Sequence, residues 1–359
     1  MINMMAKNVT LKEIAKACGV TPQTASRILN STQGHLYRKE TRELVSETAQ
    51  RMGYRLNTSA QAMRNGKHKC ISLLGSSVHW NSFFSGELLL SFQKTLSALN
   101  YNIIINVLPG EEARAGEELP RIFRENSVDG VLVGITHIIP DWLEAMINNM
   151  NVPVVWVGSK HEKDCVHHDD FDAAYRITRR LLLGNHRRIA YVDYAIPLEE
   201  ANLKSAHFSV LDRMNGYRKA MEEAGAEPRV VRTRKKIPLD ERVAYTTDKL
   251  LKNLKPTAVI TYDMPFTGTP VLYSIYRNGL KVPDDISLVS FTPYEWMEND
   301  LIISSYIPSR LNVGEIAARL LYDKINNGGQ PAKPVVLPFD FIEGNTVREL
   351  RHLKERGGK

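Results

Sequence analysis

The chain has 359 residues, 43% of them hydrophobic and 24% charged, which is enough to bury more than one domain core. No apolar run approaches a membrane span, no basic-then-apolar leader opens the chain, and Cys18, Cys70 and Cys165 are too far apart for a disulfide framework or a zinc site, so the expected compartment is the cytoplasm. The net charge of +7 is uneven: residues 1–66 carry +6 and residues 348–359 carry +3, leaving −2 between them, the footprint of a nucleic-acid-binding module on a near-neutral body.

In chain order, the first periodic stretch runs from Val9 to Asn30. Thr10 and Glu13 have capping-box spacing, Ile14, Ala15 and Cys18 form an apolar stripe, and Gly19 ends the helix. Thr21 then caps a second helix with Pro22 in its first turn, where a missing N–H costs nothing. Ala25, Ile28 and Leu29 share one face of it, and Gln23, Ser26 and Arg27 share the other. Two short helices around a glycine turn spell a helix-turn-helix. Gln23 matches the N6/N7 edge of adenine and Arg27 matches guanine O6/N7, while Thr24 and Ser26 suit phosphate oxygens or a thymine methyl.

These segments, with Glu40–Arg42, Arg51-Met-Gly-Tyr54 and Asn57-Thr-Ser-Ala-Gln-Ala-Met-Arg64, resemble the DNA-binding headpiece of the lactose-repressor/galactose-repressor (LacI/GalR) family over residues 9–66. The resemblance implies DNA contacts from Thr21, Pro22, Gln23, Thr24, Ser26, Arg27 and Asn30. It also implies a hinge that folds on the operator, with Ala60 and Met63 at the minor groove. Met63 replaces the usual leucine wedge, and Arg38 stands where a capping Ser or Thr is usual.

From Cys70 onward, short apolar strands (70–75, 101–107, 129–134, 152–158, 188–193, 257–262, 286–291) alternate with amphipathic helices (86–99, 141–149, 172–183, 213–224, 313–326), the pattern of covered parallel sheets. Val128-Asp-Gly-Val-Leu-Val133, Val152-Pro-Val-Val155, Asn185-His-Arg-Arg-Ile-Ala190, Val282–Val289 and Gly344-Asn-Thr346 are similar to the same family's core. The expected fold is therefore a small all-α helix-turn-helix headpiece plus an α/β core of two parallel-sheet lobes, periplasmic-binding-protein-like. The implied domains are 1–56 (helix-turn-helix), 57–66 (hinge), 67–347 (effector binding and dimerisation) and 348–359 (basic tail). Chain crossings between lobes are expected near 170–190, 290 and 310–325.

A cleft between two such lobes is the natural ligand site. The resemblance places Phe83 and Phe84, Asp172, Arg213 (in Arg213-Met-Asn-Gly-Tyr217), Asp263, Thr292 and Trp296 at an effector; Asp172 and Asp263 also suit helix capping. Thr292 stands where the family has an aspartate, and Pro308 replaces a polar cleft residue. Tyr294, Trp296 and Tyr306 offer stacking faces in exchange, so the expected effector is a saccharide or derivative. Cys165-Val-His-His-Asp-Asp170 looks metal-like, yet neighbouring strand residues His167 and His168 point to opposite faces, so no metal is expected and the run reads as a polar strand end at the cleft rim. The run Arg232–Lys236 reads as a solvated loop or a contact to an acidic ligand. Nothing specifies a cofactor or a reaction, so the chain reads as no enzyme. The basic tail lacks apolar heptads, which favours a dimer over a tetramer. The overall expectation is a homodimeric regulator, most simply a repressor, that binds a pseudo-palindromic double-stranded operator under control of a small effector. The alternative is a cytoplasmic sugar-binding or sugar-converting protein with no role at DNA.

Overall fold

The computed structural model describes residues 9–29, 34–55, 66–76, 84–108, 122, 125, 127–136, 141–194, 206–233, 237–238 and 240–350. Two units divide the chain, residues 1–68 and 69–359.

In the first unit, helix α1 (Leu11–Ala17) begins with the expected capping box: Glu13 N–H donates to Thr10 Oγ1 and Thr10 N–H donates to Glu13 Oε2 at 2.7 Å. Gly19 turns the chain at φ +65°, which an L side chain tolerates poorly. Helix α2 (Pro22–Leu29) is capped by Thr21, whose Oγ1 accepts from Thr24 N–H at 3.1 Å. Helix α3 (Lys39–Arg51) starts at Arg38 with no side-chain cap. The three helices close over Ile14, Ala15, Ala25, Ile28, Val45 and Ala49.

The second unit holds two six-stranded sheets. In lobe 1 the strands are β1 (Cys70–Ser76), β2 (Asn102–Leu108), β3 (Gly130–Val133), β4 (Val154–Val157) and β5 (Cys165–His168). Lobe 2 holds β6 (Ile189–Asp193), β7 (Arg229–Arg232), β8 (Ala258–Thr261) and β9 (Ser287–Phe291), and a short hairpin of β10 (Met297–Glu298) and β11 (Leu301–Ile302) leads on to β12 (Ser304–Pro308). Then β13 (Val335–Leu337) returns to lobe 1 and β14 (Phe339–Ile342) to lobe 2. The orders are β13-β5-β4-β3-β1-β2 and β14-β12-β9-β8-β6-β7, parallel throughout except β14 against β12. Helices Gly86–Ala98 and Arg310–Asn326 pack in lobe 1, and Asp170–Leu183 and Ser209–Glu223 in lobe 2.

One expectation about topology is corrected. The chain does not cross near 290, because β9 runs through the hairpin into β12, its parallel neighbour in the same sheet. The crossings lie at Asp169, at Ser309 and at Pro338, between β13 and β14. Among the described residues no helix is long and apolar enough to cross a membrane.

Candidate functional site

Parallel α/β sheets direct ligands to the carboxyl ends of their strands. Here those ends, from both lobes, surround a cavity of about 340 Å³. At its centre is Arg213, one turn into the helix Ser209–Glu223. Its Nε donates to Asp170 Oδ1 at 2.6 Å and an Nη to the Tyr262 carbonyl at 2.7 Å, and its guanidinium lies 3.9 Å from the ring centre of Phe291. Burial works against the Arg213 charge, but Asp170 together with Tyr262 and Tyr191 more than offsets this and holds its pKa above the ordinary value. Burial likewise pushes the Asp170 carboxyl up, with Arg213 pulling it back.

A second chain of hydrogen bonds crosses the cleft floor. His207 Nε2 lies 2.8 Å from the Gly158 carbonyl of lobe 1, so this nitrogen carries the proton and donates. Its Nδ1 then accepts from Ser209, whose Oγ lies 2.8 Å from the Tyr262 hydroxyl. Burial pushes the His207 pKa down to about 4, leaving the ring neutral near pH 7, and pushes Tyr262 up to about 12. Lys160 of lobe 1 pairs with Asp212 of lobe 2 at 3.0 Å, and Phe208 packs edge-on against His167 at 5.2 Å. These three cross-lobe links all reach the segment 207–212, directly ahead of Arg213.

The structure brings Phe84, Arg213, Asp263 and Thr292 to this cleft. Phe84 packs edge-on against Phe92 at 5.5 Å and depends on Gly134, where an added Cβ would meet its ring at 2.3 Å. Asp263 Oδ1 is buried without a hydrogen-bond partner; burial raises the carboxyl's pKa, with Thr267 and Phe266 of the helical turn that follows and Arg213 pulling it back. Thr292 is 3% exposed, and its Oγ1 has no partner either.

Three residues go elsewhere. Asp172 sits on the outer face of its helix, 3.6 Å from Arg176, because the helix begins at Asp170 and Asp169 is the residue that caps it. The acid at the cleft is Asp170. Trp296 stacks on Tyr294 at 5.6 Å and donates to Glu298, outside the cleft lining, and Tyr306 is buried in the lobe 2 core against Phe291 and Phe341. Phe83 lies outside the described residues. Sequence reasoning missed His207, Ser209, Tyr262, Phe266, Phe291 and Phe339, all of which line the cleft, as does His168 of the run expected at its rim.

The remaining sequence signals resolve into structure. His167 is buried and His168 faces the cleft, and among the described residues no group of three His, Cys, Asp or Glu could hold a metal ion. Arg232 is buried beside Asp193 on the adjacent strand at 3.4 Å, which corrects the solvated-loop reading for that residue; Arg234–Lys236 lie outside the described residues.

On α2, Thr21, Pro22, Gln23 and Arg27 are exposed, with Gln23 and Arg27 one turn apart. Thr24 is half-buried and tied to Thr21 at 2.9 Å. Ser26 is 7% exposed, correcting its expected place on the outer face: it lies about 60° round the helix from Leu29, on the core side. Asn30, Ala60 and Met63 lie outside the described residues.

Comparison with known proteins adds five findings. A family model for bacterial regulatory proteins of the lacI family matches residues 10–57, and one for a periplasmic binding protein-like domain matches residues 178–347. The HTH-type transcriptional regulator DegA of Bacillus subtilis is 27% identical, over 95% of this chain and 98% of its own. The HTH-type transcriptional repressor PurR of Vibrio campbellii is 24% identical, over 95% of this chain and 99% of its own. A crystal structure of the lac repressor dimer bound to operator and the anti-inducer ONPF shares the fold, with a TM-score of 0.71 and 19% identity over 95% of this chain and 100% of that one.

Proposed function

Because this chain belongs to the LacI family of bacterial regulatory proteins, a family of DNA-binding transcription regulators, we propose that it is a homodimeric repressor acting in the cytoplasm, released from or held on its operator by a small effector in the inter-lobe cleft. The observation that carries effector control is the cleft itself. A buried arginine is held open by Asp170, beside buried Asp263 and Thr292 atoms whose hydrogen-bonding capacity is unspent. Such atoms are costly to bury without a partner, and a ligand is what would satisfy them. A saccharide or derivative suits them, with hydroxyls on Arg213 and Asp263 and a ring face on an aromatic wall.

At the other end, Gln23 and Arg27 on the exposed face of α2 read base edges, and Thr21, as the cap, meets the phosphate backbone. Two headpieces related by a two-fold axis read a pseudo-palindrome. The dimer is supported by the exposed edge strand β2, where Ile104, Ile105 and Val107 lie open. The effector acts by binding one lobe arrangement better than the other, and the segment 207–213 carries both Arg213 and links to lobe 1 through His207 and Asp212.

Selection of random duplex DNA by the full-length protein, with and without pooled saccharides, tests this reading. A two-fold-symmetric enriched site whose recovery changes with the pool is expected. Absence of any enriched site under both conditions refutes it.

A further inference from the structure

We infer that the segment 207–212 is a latch: with the loop 158–164 between β4 and β5 it holds the two lobes together through the chain's own atoms, so the arrangement that a ligand meets is set in advance by the protein. The inference deepens the regulator reading above, but the latch is read out without DNA or effector.

The lobes are separate sheets joined by the chain crossings at Asp169, Ser309 and Pro338. Bodies joined in this way hinge, and the share of each arrangement follows from contacts made in one and not in the other. Both halves of the latch are anchored within their own lobe and move with it. On lobe 1, the Ser159 hydroxyl donates to the Ile135 carbonyl at 2.7 Å, and Asp164 accepts from Ala332 N–H at 2.8 Å and pairs with Lys324. Between these two ties His161 stacks on Trp156 of β4 at 4.3 Å. On lobe 2, the helix Ser209–Glu223 lies so close to Asp170–Leu183 that a Cβ on Gly216 would meet the Phe171 carbonyl oxygen at 2.2 Å, and its Tyr217 hydroxyl donates to the Ile189 carbonyl of β6 at 2.8 Å.

Three contacts of different kinds meet across the gap. The His207 Nε2–H donates to the Gly158 carbonyl, and Ser209 on Nδ1 keeps the ring in the tautomer that can do so. Lys160 pairs with Asp212 at 3.0 Å and lies 5.8 Å from the ring centre of Phe208, whose edge meets His167 at 5.2 Å. The lysine is 54% exposed and the aspartate 23%, so water and salt weaken the pair and the histidine bond is the stronger part. Arg213 directly follows Asp212 in the first turns of this helix, so a ligand that moves it tightens or slackens a latch that is already closed.

The test is amide hydrogen exchange of the full-length protein, followed by mass spectrometry of peptides covering 156–163 and 206–213, with β1 and β6 as references. His207→Leu leaves the Gly158 carbonyl unpaired and is expected to speed exchange in both segments about fivefold or more, with the reference strands within about twofold of wild type. His207→Gln, which restores an N–H, is expected to stay within about twofold of wild type in both segments. Asp212→Lys sets like charges together and is expected to speed both segments about two- to fivefold, and adding Lys160→Asp to it is expected to return them to within about twofold of wild type. No change with His207→Leu, or a rise confined to 206–213, overturns the latch. If His207→Leu loosens the reference strands as well, the charge pair decides: restoration by the swap upholds the latch, and a swapped protein that exchanges as fast as Asp212→Lys alone overturns it. A failed latch leaves the regulator reading standing, because the operator selection tests that reading separately.

Discussion

Replacing Arg213 by alanine tests whether the central ion pair of the cleft is a structural unit as well as a ligand contact. The two side chains are 14% and 4% exposed, so little water screens them. Removing one member of a buried pair costs about 3–5 kcal/mol, because the other charge stays buried without compensation. In the variant, burial acts on Asp170 without the opposing arginine, and its folded pKa rises further above the unfolded value. The folded state then binds protons more readily than the unfolded one, so stability falls as pH rises through the titration. The penalty should be smaller at pH 5 than at pH 8. Adding Asp170→Asn removes the charge that needs compensation while keeping an acceptor, and should recover most of the loss at pH 8. Urea unfolding of the wild type, both single variants and the double variant at the two pH values measures this. A loss below about 1 kcal/mol for Arg213→Ala at both pH values, or a double variant no more stable than the single one, would refute the reasoning.

Three other perturbations address separate parts of the molecule. Arg27→Ala should relax preference at one base pair per half-site and cost about 1–3 kcal/mol there, read from operator libraries; unchanged preference would remove Arg27 from base recognition. Gly134→Ala drives a Cβ into the Phe84 ring and should cost about 1–3 kcal/mol of thermal stability as well as effector affinity, whereas a variant with wild-type melting would mean that Phe84 has room to withdraw. His207, with its pKa depressed to about 4 by burial against about 6.5 when unfolded, contributes stability that is present above pH 6.5 and lost on acidification towards pH 4. His207→Gln keeps an N–H for the Gly158 carbonyl without a titrating ring, so its melting temperature should fall less between pH 7 and pH 4 than that of the wild type; parallel curves would show that another group governs the loss.

How much of this was legible in the sequence depended on how far apart the cooperating residues lie. The headpiece was readable because each of its decisions is made within a turn or two: Thr10 with Glu13, the reversal at Gly19, Thr21 with Thr24. The strands β7, β12, β13 and β14 were not, since Arg229–Arg232 is only two valines between two arginines at a sheet edge and Ser304 and Ser305 are polar yet buried beside β9. Apolar patterning marks where a strand lies but carries nothing about which sheet it joins, hence the misplaced crossing near 290. The acidic run Asp169, Asp170 and Asp172 shows the finer limit. One caps, one is buried on Arg213 and one faces solvent, and helical phase alone assigns the roles, at about 100° per residue. The missed residues of the cleft floor share a property. His207 with Gly158, Ser209 with Tyr262 and Asp170 with Arg213 each act through a partner more than forty positions away. Their chemistry exists only once distant segments have been brought together, and the bond from His207 to Gly158, which joins the two lobes, can therefore report how the lobes are arranged.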